Sequence, residues 1–214
     1  MKGVSSMQLK EAIETRSSVR KFTADPVPVE DLKEIVRLAG KAPSVNNTQP
    51  WKFIAVTDKN TLKCMSTSVR ERINEMIPVT NDDSSTKAKN QVEWFSTFFV
   101  DAPVVIVVLS RPYEAVIDKA LGNATVDHET LNEIRGYPDI QSIGAAVQNL
   151  LLAAVDMGYG ACWLSGPVVA RDQIESCLNI QSPWKIATMI AVGKATATIP
   201  QREKKSLEDI FEIR

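Results

Sequence analysis

An uninterrupted run of apolar residues, Pro103–Leu109 (PVVIVVL), sets the first limit on how this chain can fold. β-branched residues favour strands, and a strand without polar alternation is one buried on both faces. Lys185–Gly193 (KIATMIAVG) predicts a second buried strand, and Trp51–Thr57 alternates enough to predict a third. The sequence therefore predicts a sheet whose central strands lie inside the protein.

Helical periodicity fills the stretches around these strands. Val29–Ala39 places its apolar residues on one helical face, and Gly40 is positioned to end that helix. Asp58 is expected to cap a further helix that ends near Pro78. We also expect a loop at Thr80–Asn90, where the sequence is polar.

Three further helices are predicted. Ser5 and Gln8 have capping-box spacing, so a first helix is expected to begin near Ser6, with Leu9, Ala12 and Ile13 facing inward. Val92, Phe95 and Phe99 indicate a short apolar-faced helix, for which a plain core role is favoured over that of a cover for a ligand pocket. Asp139 is expected to cap a long helix through Ala154. That helix is too apolar for a surface position, so it is predicted to be central or at a subunit interface.

Composition excludes several classes of protein. The 214 residues suit one domain, and a formal net charge of −1 gives no indication of a basic surface for nucleic-acid binding. Cys64, Cys162 and Cys177 are an odd count without a CxxC pair, which favours reduced thiols in a cytoplasmic protein. No signal-peptide core or apolar run of transmembrane length is present. His128 stands between acidic residues and is interpreted as a solvated surface residue rather than a catalytic base.

Two polar loops flank the Val29–Ala39 helix. Arg16–Phe22 (RSSVRKF) combines guanidiniums and hydroxyls, which suit a phosphate, although a solvated basic helix end has the same composition. Ala42–Trp51 (APSVNNTQPW) carries Asn47 and Gln49, whose amides can both donate and accept at the edge of a heterocycle. An ordinary Pro/Asn turn before a strand is the alternative. The helix between the loops is a spacer that could bring both to one pocket.

Together these loops resemble the start of the nitroreductase family of FMN-dependent oxidoreductases, which has R-S-x-R-x-F followed by A-P-S-x-x-N-x-Q-P-W-x-F. The resemblance continues through Ser142–Ala154, which is similar to the family's long central helix, and through Gly158–Gly166 (GYGACWLSG). It extends to the basic pair before the final Ser-Leu-Glu-Asp segment. The excursion Arg111–Pro138 matches no family motif.

The resemblance implies a fold and an assembly. Family members are α+β proteins in which helices surround an antiparallel-dominated central sheet, with the long central helix at the dimer interface. They are homodimers that bind two FMN molecules between the subunits. The chain is accordingly expected to be one nitroreductase-like domain over residues 1–214, with an excursion at about 111–138 and a C-terminal arm at about 196–214 that crosses to the partner.

The resemblance also implies which residues hold the cofactor. Phosphate ligands are expected at Arg16, Ser17, Ser18, Arg202 and Lys204, with Lys205 as the alternative to Lys204. Arg20 is expected near N1 and O2 of the flavin ring, where a cation stabilises the reduced flavin. Ring contacts are expected from Pro43, Ser44, Asn47, Gln49, Leu164, Ser165 and Gly166. No metal site and no catalytic side chain beyond the flavin are expected.

The implied reaction takes hydride from NADH or NADPH and reduces a nitroaromatic, a quinone or a similar small acceptor in ping-pong order. No GxGxxG turn indicates a separate nicotinamide site. Other functions remain open at this stage: a non-catalytic flavin store or sensor, a flavin destructase or reductive dehalogenase, or an α+β protein without flavin. Nucleic-acid and membrane partners are not expected.

Overall fold

Four strands form the centre of the protein, as seen in a computed structural model that describes residues 7–77, 83–113, 116 and 127–214. The strands are β1 (Trp51–Val56), β2 (Val104–Ser110), β3 (Gly160–Leu164) and β4 (Lys185–Gly193). Their order in the sheet is β1-β2-β4-β3, and every neighbouring pair is antiparallel. The predicted α+β fold with an antiparallel sheet is confirmed.

Helices cover both faces of this sheet. The described helices are α1 (Leu9–Thr15), α2 (Val29–Ala39), α3 (Lys59–Met76), α4 (Asp83–Thr97), α5 (His128–Ile134), α6 (Pro138–Asp156) and α7 (Arg171–Cys177). Short 3₁₀ turns lie at Val45–Asn47, Phe98–Asp101 and Gly166–Ala170.

Strand β2 separates the two apolar cores. Ile106 belongs to the core that α2 and α6 cover, whereas its neighbour Val107 belongs to the core that α3 and α7 cover. Successive side chains of a strand point to opposite faces, so an all-apolar strand must be covered on both. Neither residue has any exposed surface. The prediction from Pro103–Leu109 is confirmed.

Most of the predicted helix boundaries are confirmed. Gly40 follows the last residue of α2, and the carboxylate of Asp58 accepts the backbone N–H of Thr61 at 2.7 Å to cap α3. The cap predicted for α6 is wrong: Tyr137 precedes this helix with φ of 53°, and Asp139 lies within its first turn. Pro at the first helical position suits that start, because Pro lacks the N–H that would be unpaired there.

Two local predictions are wrong. The polar stretch expected as a loop, Thr80–Asn90, is helical from Asp83. Most of its polar side chains on α4 are exposed, whereas Lys89 is buried, and residues 80–82 lie outside the described residues. In α1, only Ala12 is buried; Leu9 is 67% exposed and Ile13 is 49% exposed. Ser5 and Ser6, on which the predicted start of α1 rested, lie outside the described residues.

The cysteine prediction is also wrong. Cys64 of α3 and Cys177 of α7 form a disulfide, with Cα atoms 6.4 Å apart, and Cys162 is a buried free thiol. The bonded cysteines are 113 residues apart in the sequence, so their spacing gives no indication of the pair. They meet because α3 and α7 pack on the same face of the sheet.

Within the described ranges, no helix has the combination of length and apolar sequence needed to cross a lipid bilayer.

Candidate functional site

The Arg16–Phe22 segment is extended and lies along the open edge of β3. The N–H of Val19 donates to the carbonyl oxygen of Ala161 at 3.0 Å, next to a bridge between Ser18 and Ala161. This pairing buries Val19 and leaves the residues on either side of it partly exposed. Gly160 permits the approach, since a Cβ there would lie 2.6 Å from the Val19 side chain.

A cleft of about 550 Å³ opens beside this segment, and we call it the cationic cleft. All five predicted phosphate ligands line it: Arg16, Ser17, Ser18, Arg202 and Lys204. Arg20 and Lys21 line it as well, whereas Lys205 is not among its lining residues. The residues that form its described wall include no Asp or Glu. The cationic cleft therefore joins the two ends of the sequence around a strongly positive space.

Gln201 fixes the C-terminal residues of this cleft. Its side-chain amide donates to the carbonyl oxygens of Ile13 and Arg16, at 3.1 and 3.0 Å. The amide thus ties the C-terminal arm to the start of the Arg16–Phe22 segment and places Arg202 beside it. Sequence reasoning missed Gln201, because a lone Gln in a charged run gives no signal of a long-range contact.

Among the described residues, no acidic side chain pairs with the cations of the cleft. Across the described part of the chain, ion pairs involve other residues, and none includes Arg16, Arg20, Arg202 or Lys204. Clustered like charges repel one another, so such an arrangement is stabilised when an anion binds between them. This unbalanced charge is the main electrostatic feature of the site.

A second cleft, of about 510 Å³, adjoins the first at Arg20, and we call it the β3 cleft. Leu164, Ser165 and Gly166 line it as a continuous turn after β3. Its opposite wall is α4, from which Val92, Phe95 and Ser96 contribute. The role predicted for this region, a plain core helix, is therefore wrong. Phe99 is fully buried, but Phe95 is 39% exposed and faces the cleft.

Arg20 is held between the two clefts. Its guanidinium carbon lies 5.3 Å from the centre of the Phe95 ring, within the range of a cation–π contact. Trp94 packs edge-on against Phe95, with ring centres 4.8 Å apart. Arg20 also donates to the carbonyl oxygen of Ser18 at 3.4 Å. These contacts point the guanidinium toward the junction of the clefts.

The floor of the β3 cleft is tightly packed. A Cβ at Gly166 would lie 2.5 Å from Oγ of Ser96, so α4 can approach the turn only because residue 166 is glycine. Cys162 also lines the cleft, and burial raises the pKa of its thiol, although Arg20, Ser18 and Arg16 act in the opposite direction. The thiol therefore stays protonated at neutral pH.

The second polar loop does not reach either cleft in one chain. Pro43, Ser44, Asn47 and Gln49 are absent from the residues that line the two clefts. The loop instead packs on α6, where the N–H of Val45 donates to Oγ of Ser142 at 3.1 Å. Neither of these clefts brings the two loops together in a single chain, so the shared pocket expected from the sequence stays a prediction. Eleven helical residues separate the loops by about 16 Å along the helix axis.

His128 lies away from both clefts. It is half-buried at the start of α5 and packs edge-on against Tyr113, with ring centres 5.7 Å apart. It is therefore less solvated than predicted. Among the described residues, no group of His, Cys, Asp and Glu is placed to hold a metal ion.

Comparison with known proteins agrees with this fold. A model of the nitroreductase family matches residues 13–194. A BluB-like flavoprotein from Clostridium difficile 630 is 28% identical, with a TM-score of 0.87 over 97% of this chain and 99% of that chain. A nitroreductase with bound FMN from Desulfitobacterium hafniense DCB-2 shares the fold at 20% identity, with a TM-score of 0.72 and coverage of 97% and 99%.

A further relative has a more specialised name. Iodotyrosine deiodinase from Nematostella vectensis is 26% identical over 213 residues, which is 98% of this chain and 76% of that protein. The family match spans both the RSSVR segment and the strands of the sheet, so the resemblance found in the sequence is confirmed. The chain belongs to the nitroreductase family.

Proposed function

We propose that this protein is an FMN-dependent oxidoreductase that takes hydride from NADH or NADPH and reduces a nitroaromatic, a quinone or a similar small acceptor in ping-pong order. The observation that carries the proposal is the pair of adjoining clefts. One is lined by cations with no Asp or Glu among its described lining residues, and the other is flanked by aromatic and small residues. A flavin mononucleotide has matching parts, a terminal phosphate and an apolar ring.

The donor set of the cationic cleft suits one phosphate group. Arg16 and Arg202 can each give forked hydrogen bonds to phosphate oxygens, and Lys204 adds a point charge. The hydroxyls of Ser17 and Ser18, which follow Arg16 in the same segment, supply short, stiff donors. FMN is favoured over FAD because these cations line one cleft, which suits a single terminal phosphate.

The β3 cleft suits the ring. When bound, FMN supplies the two-electron chemistry, and the residues of the chain supply position and electric field. Arg20, held over Phe95, presents a positive charge at the junction where the pyrimidine side of the ring is expected. Leu164, Ser165 and Gly166 are expected at the opposite edge. No described side chain here is required to act as a nucleophile.

We also propose a homodimer, in which the second copy completes the site. The loop with Pro43, Ser44, Asn47 and Gln49 lines neither cleft of its own chain, so its predicted ring contacts require the partner subunit. Exposed apolar side chains support this assembly, because a second subunit would cover them. In the single chain, Leu9 of α1 is 67% exposed, and Leu207 and Phe211 of the C-terminal arm are 65% and 59% exposed. A cytoplasmic location remains a prediction.

A visible spectrum and a sedimentation experiment test these points together. Purified protein should show an FMN spectrum, lose its yellow colour on anaerobic addition of NADH or NADPH, and regain it with a nitroaromatic or a quinone. It should sediment as a dimer. FAD, or no flavin after reconstitution, would overturn the cofactor assignment. Bound FMN that nicotinamide does not reduce would instead favour a flavin store or sensor.

Reductive dehalogenation is the second candidate. The similarity to iodotyrosine deiodinase over 98% of the chain favours it, at 26% identity. The test compares a halogenated phenol with a nitroaromatic of similar size, using the chemically reduced protein under anaerobic conditions. Release of halide at a rate comparable to nitro reduction would support this candidate, whereas turnover of the nitro compound alone would exclude it.

A further inference from the structure

A buried hydroxyl contacts the turn of the β3 cleft from behind. Thr188 of β4 is only 5% exposed, and its Oγ1 accepts a hydrogen bond from the indole Nε1 of Trp163 at 2.7 Å. The same hydroxyl donates to the carbonyl oxygen of Leu164 at 2.9 Å. Thr188 does not line the cleft, but both of its partners do.

The direction of this relay is fixed by chemistry. An indole N–H can only donate and a backbone carbonyl can only accept, so the hydroxyl of Thr188 must accept from Trp163 and donate to Leu164. The bond to Leu164 is buried and the bond from Trp163 is partly buried, and a buried group left without its hydrogen bond costs about 1–3 kcal/mol. Both bonds are therefore expected to hold their groups in one orientation.

The strand register places the hydroxyl on the same face as the Trp163 side chain. Val108 pairs with Thr188 while Leu109 pairs with Ile186, so Ala187 is an extra residue in β4. This bulge lies before Thr188, and the pairing with β2 is regular from Thr188 onward. Because side chains alternate along a strand, Thr188 shares a face with Ile190, which is the pairing partner of Trp163.

The hydrogen bond to Leu164 has a consequence for the cleft. The carbonyl of Leu164 and the N–H of Ser165 belong to one planar trans peptide, in which the two groups point in opposite directions. Since the carbonyl is held toward Thr188 in the sheet, the N–H of Ser165 is held away from it. Ser165 is exposed at the lining of the β3 cleft.

Trp163 is held by the same hydroxyl. Its side chain is 43% exposed at the rim of the cleft, and a Cβ added at Gly144 of α6 would lie 3.9 Å from its ring. An exposed indole in a fixed position is a rigid, flat surface, because its one polar group already has a partner.

We propose that Thr188 is a positioning residue that orients the Leu164–Ser165 peptide and the Trp163 indole against the reacting edge of the flavin. The proposal rests on the proposed function, since it assigns a support for the ring in the same site. Thr188 itself touches neither cofactor nor substrate. Its loss is expected to misplace the turn while leaving the cationic cleft intact.

The test replaces one buried hydroxyl at a time. Thr188→Val keeps the shape of the side chain and removes the relay, whereas Thr188→Ser keeps the hydroxyl. Thr97→Val is the matched control, because Thr97 is 3% exposed and, among the described residues, its hydroxyl bonds to the carbonyl oxygen of Glu93 in its own helix, at 2.7 Å. A misplacement of about 1 Å is sufficient to slow chemistry. We expect Thr188→Val to slow flavin reduction roughly tenfold, with FMN affinity changed less than about threefold.

A second measurement needs no flavin. The chain has four Trp residues, so ¹⁵N-labelled protein should give four indole N–H signals, and Trp163→Phe identifies one of them. In the flavin-free protein, Thr188→Val should shift this signal and speed its hydrogen exchange, and Thr188→Ser should restore both the signal and the reduction rate. The role of Thr188 is refuted if Thr188→Val behaves like Thr97→Val or if Thr188→Ser is as slow as Thr188→Val.

The two proposals fail in distinguishable ways. A wild-type protein that binds no FMN overturns the proposed function and the ring role of Thr188, whatever the indole signal shows. A wild-type protein that binds and reduces FMN, together with an unchanged rate in Thr188→Val, overturns the role of Thr188 alone.

Discussion

The cationic cleft and the β3 cleft share Arg20 but are built in different ways. The cationic cleft is made by exposed charged side chains from two distant segments, near Arg16 and near Arg202, which Gln201 ties together. The β3 cleft is made by a backbone turn at Leu164–Gly166 and the packing of α4 against it. Charge recognition therefore depends on side chains that are visible in the sequence, whereas the shape of the ring site depends on tertiary packing.

If the two clefts differ in this way, the largest effect on FMN affinity should come from replacing Arg16. A charge-assisted hydrogen bond contributes about 1.5–3 kcal/mol, so Arg16→Ala should weaken FMN binding about ten- to a hundredfold. Arg37→Ala is the matched control, because Arg37 is an exposed guanidinium of α2 that already pairs with Glu34. FMN titration measures both. Equal losses in the two variants would mean that the effect is general electrostatics and not a phosphate contact.

Packing should produce the largest effect in the β3 cleft. Gly166→Ala would bring a Cβ to 2.5 Å from Oγ and 3.2 Å from Cβ of Ser96, which forces α4 to move. Overpacking of this kind costs about 1–3 kcal/mol in the free energy of unfolding, measurable by urea denaturation. At Gly144, where an added Cβ would lie 3.9 Å from the Trp163 ring, the substitution Gly144→Ala should cause no such loss.

A second substitution sharpens this packing prediction. Adding Ser96→Gly to Gly166→Ala removes the side-chain atoms that the new Cβ would meet. The double variant should therefore lose less free energy of unfolding than the sum of the losses in the two single variants. Additive losses would show that the glycine is needed for backbone conformation rather than for the approach of α4.

The same contrast explains what the sequence could predict. Pro103–Leu109 and Lys185–Gly193 predicted strands correctly because burial on both faces leaves a local pattern. The RSSVR segment and Arg202 were associated through a family motif, and the structure brings them to one cleft. Motif and periodicity are properties of short stretches, so they survive without knowledge of the fold.

The features that were missed depend on long-range contacts. The Cys64–Cys177 pair is 113 residues apart, and the relay through Thr188 joins residues of two strands that no local pattern pairs. Phe95 was assigned to the core because its spacing matched that of Phe99, although only Phe99 is buried. Periodicity identifies an apolar face but cannot tell whether protein or a cleft lies against it.

Arg20 tests whether the clefts divide the work between phosphate and ring. Its positive charge should stabilise the reduced flavin more than the oxidised one, so Arg20→Ala should lower the midpoint potential and leave binding of oxidised FMN nearly unchanged. An interaction of about 1 kcal/mol corresponds to roughly 20 mV for a two-electron couple. Arg20→Lys keeps the positive charge, so it should lower the midpoint potential less than Arg20→Ala does. If a redox titration shows that Arg16→Ala shifts the midpoint potential and Arg20→Ala does not, then Arg16 serves the ring and Arg20 serves the phosphate, the reverse of the present assignment.

The smallest effect is expected outside both clefts, at Tyr159. Its phenol donates a hydrogen bond to Asp31 of α2, and burial, this bond and the charge of Asp31 raise its pKa to about 12, above the ordinary 10.0. Because the folded protein holds the phenol proton more tightly than the unfolded chain does, this stabilisation is complete below pH 10 and is lost as the pH rises from 10 to 12. Tyr159→Phe should lower the free energy of unfolding by about 1 kcal/mol at neutral pH. The difference in free energy of unfolding between Tyr159→Phe and the wild type should therefore become smaller in urea titrations at alkaline pH.

FMN affinity and midpoint potential should stay at their wild-type values in Tyr159→Phe, since the hydrogen bond joins α2 to the start of β3 rather than to either cleft. A change in FMN affinity or midpoint potential would show that the end of β3 near Gly160 is coupled to the site. Tyr159 would then act on cofactor binding as well as on stability.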